Sequence, residues 1–224
     1  MIPTHRRWMA WPLLAATLLL GACATPPAPY DYTAFRQSRP KSMLILPPVN
    51  DSADVNATYG VMATAATPLA EAGYYVLPVS LVDETFKQNG LTTPDDIQNV
   101  AVAKLHEIFG ADAAVYLRVK AYGTKYLVFG SDTRVTVEGR IVDLRTGQQI
   151  WKGSATASSQ ESDSSNQGGL VGLLVKAVVA QIANTVSDAS FNYAAIANQR
   201  LLGAPIKNGV LYGPRSSHYQ QDKN

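Results

Sequence analysis

Between residues 41 and 158 the hydrophobic positions fall into short blocks whose period switches between strand-like and helix-like. Ser42 to Pro47 is a continuous apolar run stopped by Pro47 and Pro48, the pattern of a strand covered on both faces. Asn50 to Asn56 is polar and reads as a loop. Ala57 to Ala72, rich in Ala and Thr, predicts a helix ended by Gly73, with Pro68 kinking it or starting a new turn. Tyr74 to Val79 predicts a second strand. Ser80 is placed to cap a helix from Leu81 to Gln88, with Asp83 and Glu84 in its first turn. Thr93-Pro94-Asp95-Asp96 opens another helix with proline at its first position. Val102, Leu105, Ile108 and Phe109 then line one helical face, which Gly110 stops.

Ala113 to Tyr122 predicts a third strand. Thr133 to Leu144 predicts a fourth, with Val135, Val137, Gly139 and Ile141 on one face. Arg145 to Gln148 makes a tight turn, capped by Asp143, into a fifth strand from Ile150 to Ser158. The order implies an α/β fold: a mixed five-stranded sheet, β-α-β-α-β followed by a β-β meander. Leu44, Ile45, Val76, Leu117 and Trp151 are the expected core.

Ser158 to Gly169 is a polar Ser/Gly/Asn/Gln run, and Leu170 to about Leu202 predicts a long C-terminal helix. Its first 11 or so residues are apolar almost all round, too few to span a bilayer, which takes roughly 20. Val171, Val175 and Val179 follow at four-residue spacing, and Leu170, Leu174 and Val178 form the neighbouring row. The segment reads first as a helix that covers the sheet; the alternative is one row on the sheet and the other open to another copy or a partner lipoprotein, which makes the three valines a candidate interface. Residues 204–224 return to Gly, Pro and polar residues and read as a loosely docked tail.

The N-terminal segment follows a different rule. Arg6 and Arg7 precede an apolar run from Trp8 to Leu20, broken only by Pro12 and Thr17, and Gly21-Ala22 then abut the sole cysteine, Cys23. A positive start, a short apolar stretch and small residues at the end are the layout of a secretory signal. With Cys23 next, the motif resembles a bacterial lipobox. That resemblance implies cleavage between Ala22 and Cys23 and lipid on the cysteine. Two or three acyl chains, at about 0.8 kcal/mol per buried methylene, hold a protein to a bilayer where a single myristoyl does so only marginally. Ala24 stands where an aspartate would resemble an inner-membrane retention signal, which favours the outer membrane, facing the periplasm. The expected organisation is a signal peptide at 1–22, a lipidated, Pro-rich tether at 23–40, an α/β domain at 41–203 and the tail. The tether, with Pro26, Pro27 and Pro29, reaches roughly 55 Å at full extension. Tyr30, Tyr32 and Phe35 are expected to dock on the domain.

Charge narrows the partners. The leader holds two of the 19 basic residues and none of the 17 acidic ones, leaving a formally neutral mature chain. Nucleic-acid binders carry a basic excess, so that class is not expected. With Cys23 committed to lipid there is no disulfide and no cysteine metal site. His5 leaves with the signal, and His106 and His218 have no ligand pattern around them. The Asn50–Asn56 loop lacks the glycine and terminal glutamate of a calcium loop and reads as a capping loop. Gly168-Gly169 lacks the surrounding pattern of a phosphate loop and reads as a hinge. No metal, no cofactor and no catalytic set are expected.

The runs Phe35-Arg-Gln-Ser-Arg-Pro-Lys-Ser-Met-Leu-Ile-Leu-Pro-Pro48, Pro68-Leu-Ala-Glu-Ala-Gly-Tyr-Tyr-Val-Leu-Pro-Val79 and Phe109-Gly-Ala-Asp-Ala-Ala-Val-Tyr116 add a more specific signal. With the hairpin Asp143–Gly153 and Gly168-Gly-Leu-Val-Gly172, they resemble a family of bacterial outer-membrane lipoproteins known mainly through a Neisseria vaccine-candidate antigen. The resemblance covers nearly all of residues 30–203. It implies a fold similar to the N-terminal domain of TolB and an association with relatives of CsgG, and it supplies no catalytic residues. The expected function is a non-enzymatic outer-membrane lipoprotein, an accessory or scaffold component of an envelope assembly or secretion system. It would be held by its N-terminal lipid and would contact other envelope lipoproteins or itself. The alternative is a periplasmic ligand-binding or catalytic domain with an unrecognised pocket.

Overall fold

The first apolar block becomes strand β1 (Ser42–Ile45), in which Met43, Leu44 and Ile45 are completely buried. The structure is a computed structural model that describes residues 29–127, 130–163 and 189–222. The chain separates into Met1–Tyr30 and Asp31–Asn224, and the second unit holds every strand and helix described.

Helix α1 (Thr33–Ser38) precedes β1, and β2 (Val49–Asn50), α2 (Ala57–Glu71), β3 (Tyr75–Val76) and α3 (Val79–Gln88) follow it. After α4 (Pro94–Gln98) and α5 (Val102–Phe109) come β4 (Ala113–Ala121), β5 (Thr124–Leu127), β6 (Gly130–Asp143) and β7 (Gln149–Ser158). A 3-10 turn at Ser159–Asp163 and helix α6 (Ala189–Leu202) complete the described chain.

The sheet is mixed, as expected, but among the described residues it holds seven strands rather than five. β1 pairs in parallel with β3 on one side and β4 on the other, while β4, β6 and β7 pair antiparallel in turn. The two extra strands continue neighbours that are interrupted. Pro47 and Pro48 have no N–H to give and end β1, after which β2 resumes the parallel ladder on Arg118 and Val119 of the same β4. Gly123, at φ +122°, ends β4, and β5 then carries the antiparallel pairing along β6. The five expected strands are thus five columns, two of them broken.

Other expectations need correction. The second strand is two residues long, because Leu77 makes its last ladder bond, N–H to Met43 O, and Pro78 starts α3. Val76, on this edge, is half-buried rather than core. Ser80 lies inside α3; the capping position is Pro78, whose fixed φ (−57°) suits a helix start. Thr93 does cap α4, accepting from Asp96 N–H. Helix α2 runs through Pro68 as one element. On α5 only Leu105 is fully buried, and Ile108 is 44% exposed.

Helix α6 lies on α2, β6 and β7. Asn198, fully buried, donates to Val61 O (2.9 Å) and Thr64 Oγ1 (2.8 Å) of α2. Gly139 and Gly153 sit opposite each other on β6 and β7. A Cβ at Gly153 would lie 2.7 Å from the Trp151 ring, and one at Gly139 3.2 Å from both Leu117 and Leu201. The missing side chains make the slot in which the indole and Leu201 pack. The expected helix from Leu170 is described only over its last 14 residues; its earlier part lies outside the described residues.

Neither end of the domain is loose. Part of the expected tether is α1, whose Phe35 is 2% exposed and meets Tyr74 edge-on at 6.5 Å. Tyr32 is buried too, as the expected docking requires, and donates to Gly209 O (2.7 Å). The expected tail packs through residues 208–216. Trp151 Nε1 donates to Asn208 O, Tyr74 Oη to Leu211 O, Gly213 N to Ala72 O and Arg215 N to Gly73 O. Its small residues fit under the sheet end: a Cβ at Gly213 would lie 2.6 Å from Gly73 O. Low hydrophobicity here marks a close backbone approach.

Candidate functional site

The residues that receive the N-terminal segment form a dense polar cluster. Asp143 ends β6 and is 2% exposed; local pattern assigns it only the capping of the following turn. It does cap that turn, accepting from the N–H of Arg145 (2.8 Å) and Thr146 (3.0 Å). It also reaches back across the sheet: Ser38 Oγ of α1 donates to it at 2.6 Å, and the Arg145 guanidinium pairs with it at 2.7 Å. Arg145 Nη2 in turn donates to Ser38 O (2.6 Å). Asp112 makes a second fastening, accepting from Lys41 N, Ser42 N and Ser42 Oγ at 2.8–3.2 Å. Two carboxylates, Asp112 just before β4 and Asp143 at the end of β6, thus fix the chain where it enters the fold.

Burial alone would push the Asp143 carboxyl up, but the donors from Arg145, Ser38 and the two backbone N–H groups outweigh it and hold it at about 2. The unfolded value is about 3.9, so this fastening contributes stability that is complete above pH ~4 and disappears as pH falls towards 2. Replacing Asp143 by Asn should therefore flatten the loss of stability between pH 5 and 2.5. Urea midpoints at the two pH values, wild type against variant, measure it. Equal losses in both proteins would mean the carboxylate is not held this way.

Among the described residues, concavities open at the C-terminal and β3 regions. A cleft of about 240 Å³ lies between α1 and the C-terminal segment, lined by Arg36, Arg39, Tyr74, Tyr212, Tyr219 and Asp222 among others. A groove of about 400 Å³ beside β3 has an uncharged lining that includes Tyr75, Leu77, Leu81 and Ile108. At the opposite end of the sheet Val55 (84% exposed) and Tyr126 (87%) stand out. The two segments that carry them approach at Gly123, where a Cβ would lie 3.9 Å from Asp54 Oδ2.

The other sequence candidates resolve into structural roles. In the polar loop Asp51 pairs with Arg118 (2.6 Å) and Lys120 (2.7 Å), Asn50 Oδ1 caps Ser52 and Asp54 Oδ1 caps Asn56. His106 Nδ1 sits 2.9 Å from Ala111 O, and the His218 ring stacks near Tyr212. Among the described residues no group of three or more His, Cys, Asp or Glu could hold a metal, and no helix is long and apolar enough to cross a membrane. Ala22, Cys23, Gly168 and the Val171, Val175, Val179 row all lie outside the described residues. The Asp143–Ser38–Arg145 fastening escapes a sequence reading because its partners are 105 and 107 residues apart, and only the local capping pattern is readable.

Comparison with known proteins adds what geometry alone does not. Residues 30–215 match the family model described as "Putative lipoprotein GNA1162-like". The chain belongs to this lipoprotein family. A relative named "Putative lipoprotein NMB1124/NMB1162", from Neisseria meningitidis serogroup B (MC58), is 50% identical over 203 residues, covering 90% of this chain and 94% of the relative. The crystal structure of lipoprotein GNA1162 from Neisseria meningitidis is 51% identical, covers 65% of this chain and all of the crystallised one, and superposes with a TM-score of 0.51. The family resemblance and the α/β fold expected from the sequence are both supported by these matches. The matched family span begins at Tyr30, next to the first residue of the second unit.

Proposed function

We propose that this GNA1162-like lipoprotein is a non-enzymatic component of the outer membrane, held by lipid on Cys23 after cleavage behind Ala22. Its domain faces the periplasm and serves as an accessory or scaffold in an envelope assembly. The observation that carries this reading is the polarity of the domain. The chain enters where Asp112, Asp143 and Arg145 fasten it, and Asp31 stands only eight residues beyond Cys23. That is about 28 Å at full extension, half the reach expected for the whole tether. The run from Ala113 through β4 and β5 to Leu127 then travels away from the entry point by some 45 Å at strand rise. Tyr126 lies near its far end and Val55 in the loop that approaches Gly123, and these are the two most exposed large apolar residues described.

Exposed apolar side chains at the end away from an anchor suit capture of a protein partner. The Val171, Val175, Val179 row, read from spacing alone, is a second proposed contact, with a further copy or another envelope lipoprotein. Tyr126→Glu and Val175→Glu should each leave folding and membrane attachment intact. One or both should remove a companion protein, or the self-associated species, that purifies with the lipidated wild type from membranes. If both variants keep every companion and the same oligomeric state, neither surface is the contact and the scaffold reading loses its support.

A further inference from the structure

We propose that the cleft between α1 and the C-terminal segment binds the headgroup of a zwitterionic phospholipid, with the phosphate on the Arg36 and Arg39 wall and the primary ammonium at Asp222. The proposal rests on the membrane anchoring proposed above, which puts the cleft near a bilayer.

Charge sets the class of ligand. The α1 wall contributes Arg36 and Arg39, both exposed, and the C-terminal wall contributes Asp222. A single-sign patch would select an anionic surface. A cation pair facing a carboxylate across one small cleft instead selects a ligand carrying both signs. Guanidinium groups bind phosphate through paired N–H donors, and a carboxylate accepts from an ammonium. Asp222 is positioned rather than trailing: its Oδ1 accepts from Tyr212 N–H at 3.1 Å. Burial chiefly, and then the nearby Asp222 charge, push the Tyr74 phenol on the cleft floor well up.

Size and lining narrow the class. At about 240 Å³ the cleft is smaller than the roughly 300–1,000 Å³ of drug-sized sites, so its ligand is a small group. Tyr74, Tyr212 and Tyr219 line it beside Phe35 and Leu211. Tyrosine, with an apolar ring and a polar tip, suits the headgroup level of a membrane.

Position agrees with both. α1 begins ten residues after Cys23, so the Arg36 and Arg39 wall belongs to the element tied most closely to the anchor. A tether of this length averages about 17 Å end to end as a flexible chain. Headgroup contact therefore needs no extension of the tether.

The test uses the full chain with Cys23→Ser, which has no acyl acceptor, in maltoside micelles, so its outcome does not depend on whether Cys23 is normally lipidated. Dihexanoyl phosphatidylethanolamine should raise the melting temperature saturably. Arg39→Asn, chosen because Arg39 has φ +47° and asparagine tolerates that region, should weaken the apparent affinity at least tenfold. Asp222→Asn should do the same for the ethanolamine lipid. Melting of the ligand-free variants within a few degrees of the parent shows that they fold. Equal binding of dihexanoyl phosphatidylglycerol, or indifference to Asp222→Asn, overturns the ammonium subsite and with it the proposal. Saturation by free phosphoethanolamine or inorganic phosphate at the same concentration as the lipid overturns the lipid as ligand. Absence of any saturable shift overturns the site.

Discussion

Leu117→Ala should lower the unfolding free energy of the domain by about 2–5 kcal/mol, and Leu44→Ala by a similar amount. Both side chains are essentially absent from the surface, and both lie on strands with neighbours on each side. Leu117 belongs in the upper half of that range. It packs where Gly139, Trp151 and Leu201 meet, and an indole held between glycines and a helix has little freedom to collapse into the space left behind. Leu81→Ala is the comparator: at 62% exposure on α3 it should change stability by no more than about 0.5 kcal/mol. The measurement is the urea midpoint at constant m-value. A negligible cost at both Leu44 and Leu117 would contradict the strand placement.

Cys23→Ser should move the protein from the membrane fraction to the soluble fraction, or leave it as an uncleaved precursor. The expected effect is close to complete. Two long acyl chains bury on the order of 25–30 methylenes, about 20 kcal/mol of transfer free energy, and no other described feature supplies a comparable membrane affinity. The same variant should keep its urea midpoint, because the unit that holds the sheet begins at Asp31 and its fastenings at Asp112 and Asp143 involve residues from Ser38 onward. A processed Cys23→Ser protein that still sediments with membranes would mean that something other than lipid holds it.

The elements legible in the sequence are those whose determinants are local. β1 announces itself by an unbroken apolar run, α4 by Thr93-Pro94, and the β6–β7 hairpin by alternation into an Asp/Thr/Gly turn. What is not legible depends on partners distant in the chain. Nothing near Asp143 indicates that Ser38 will donate to it, and Gly213 reads as tail until Gly73 is known to lie against it. Helical spacing puts Ile108 in the core, yet α5 is only eight residues long and turns that position into the groove beside β3. The breaks in the sheet columns have visible causes in Pro47-Pro48 and Gly123, but only the ladder shows that pairing resumes beyond them on the same neighbour. The cleft beside α1 combines residues from 35 to 222 and is invisible for the same reason.

The proposed function depends most on a mature chain that begins at an acylated Cys23, a short reach from the domain. The intact mass of the protein extracted from membranes tests this directly. The expected mass is that of residues 23–224 plus a diacylglyceryl group on the Cys23 sulfur, with or without a third acyl chain on its amino group. A chain starting elsewhere, or one carrying an unmodified Cys23, would contradict it.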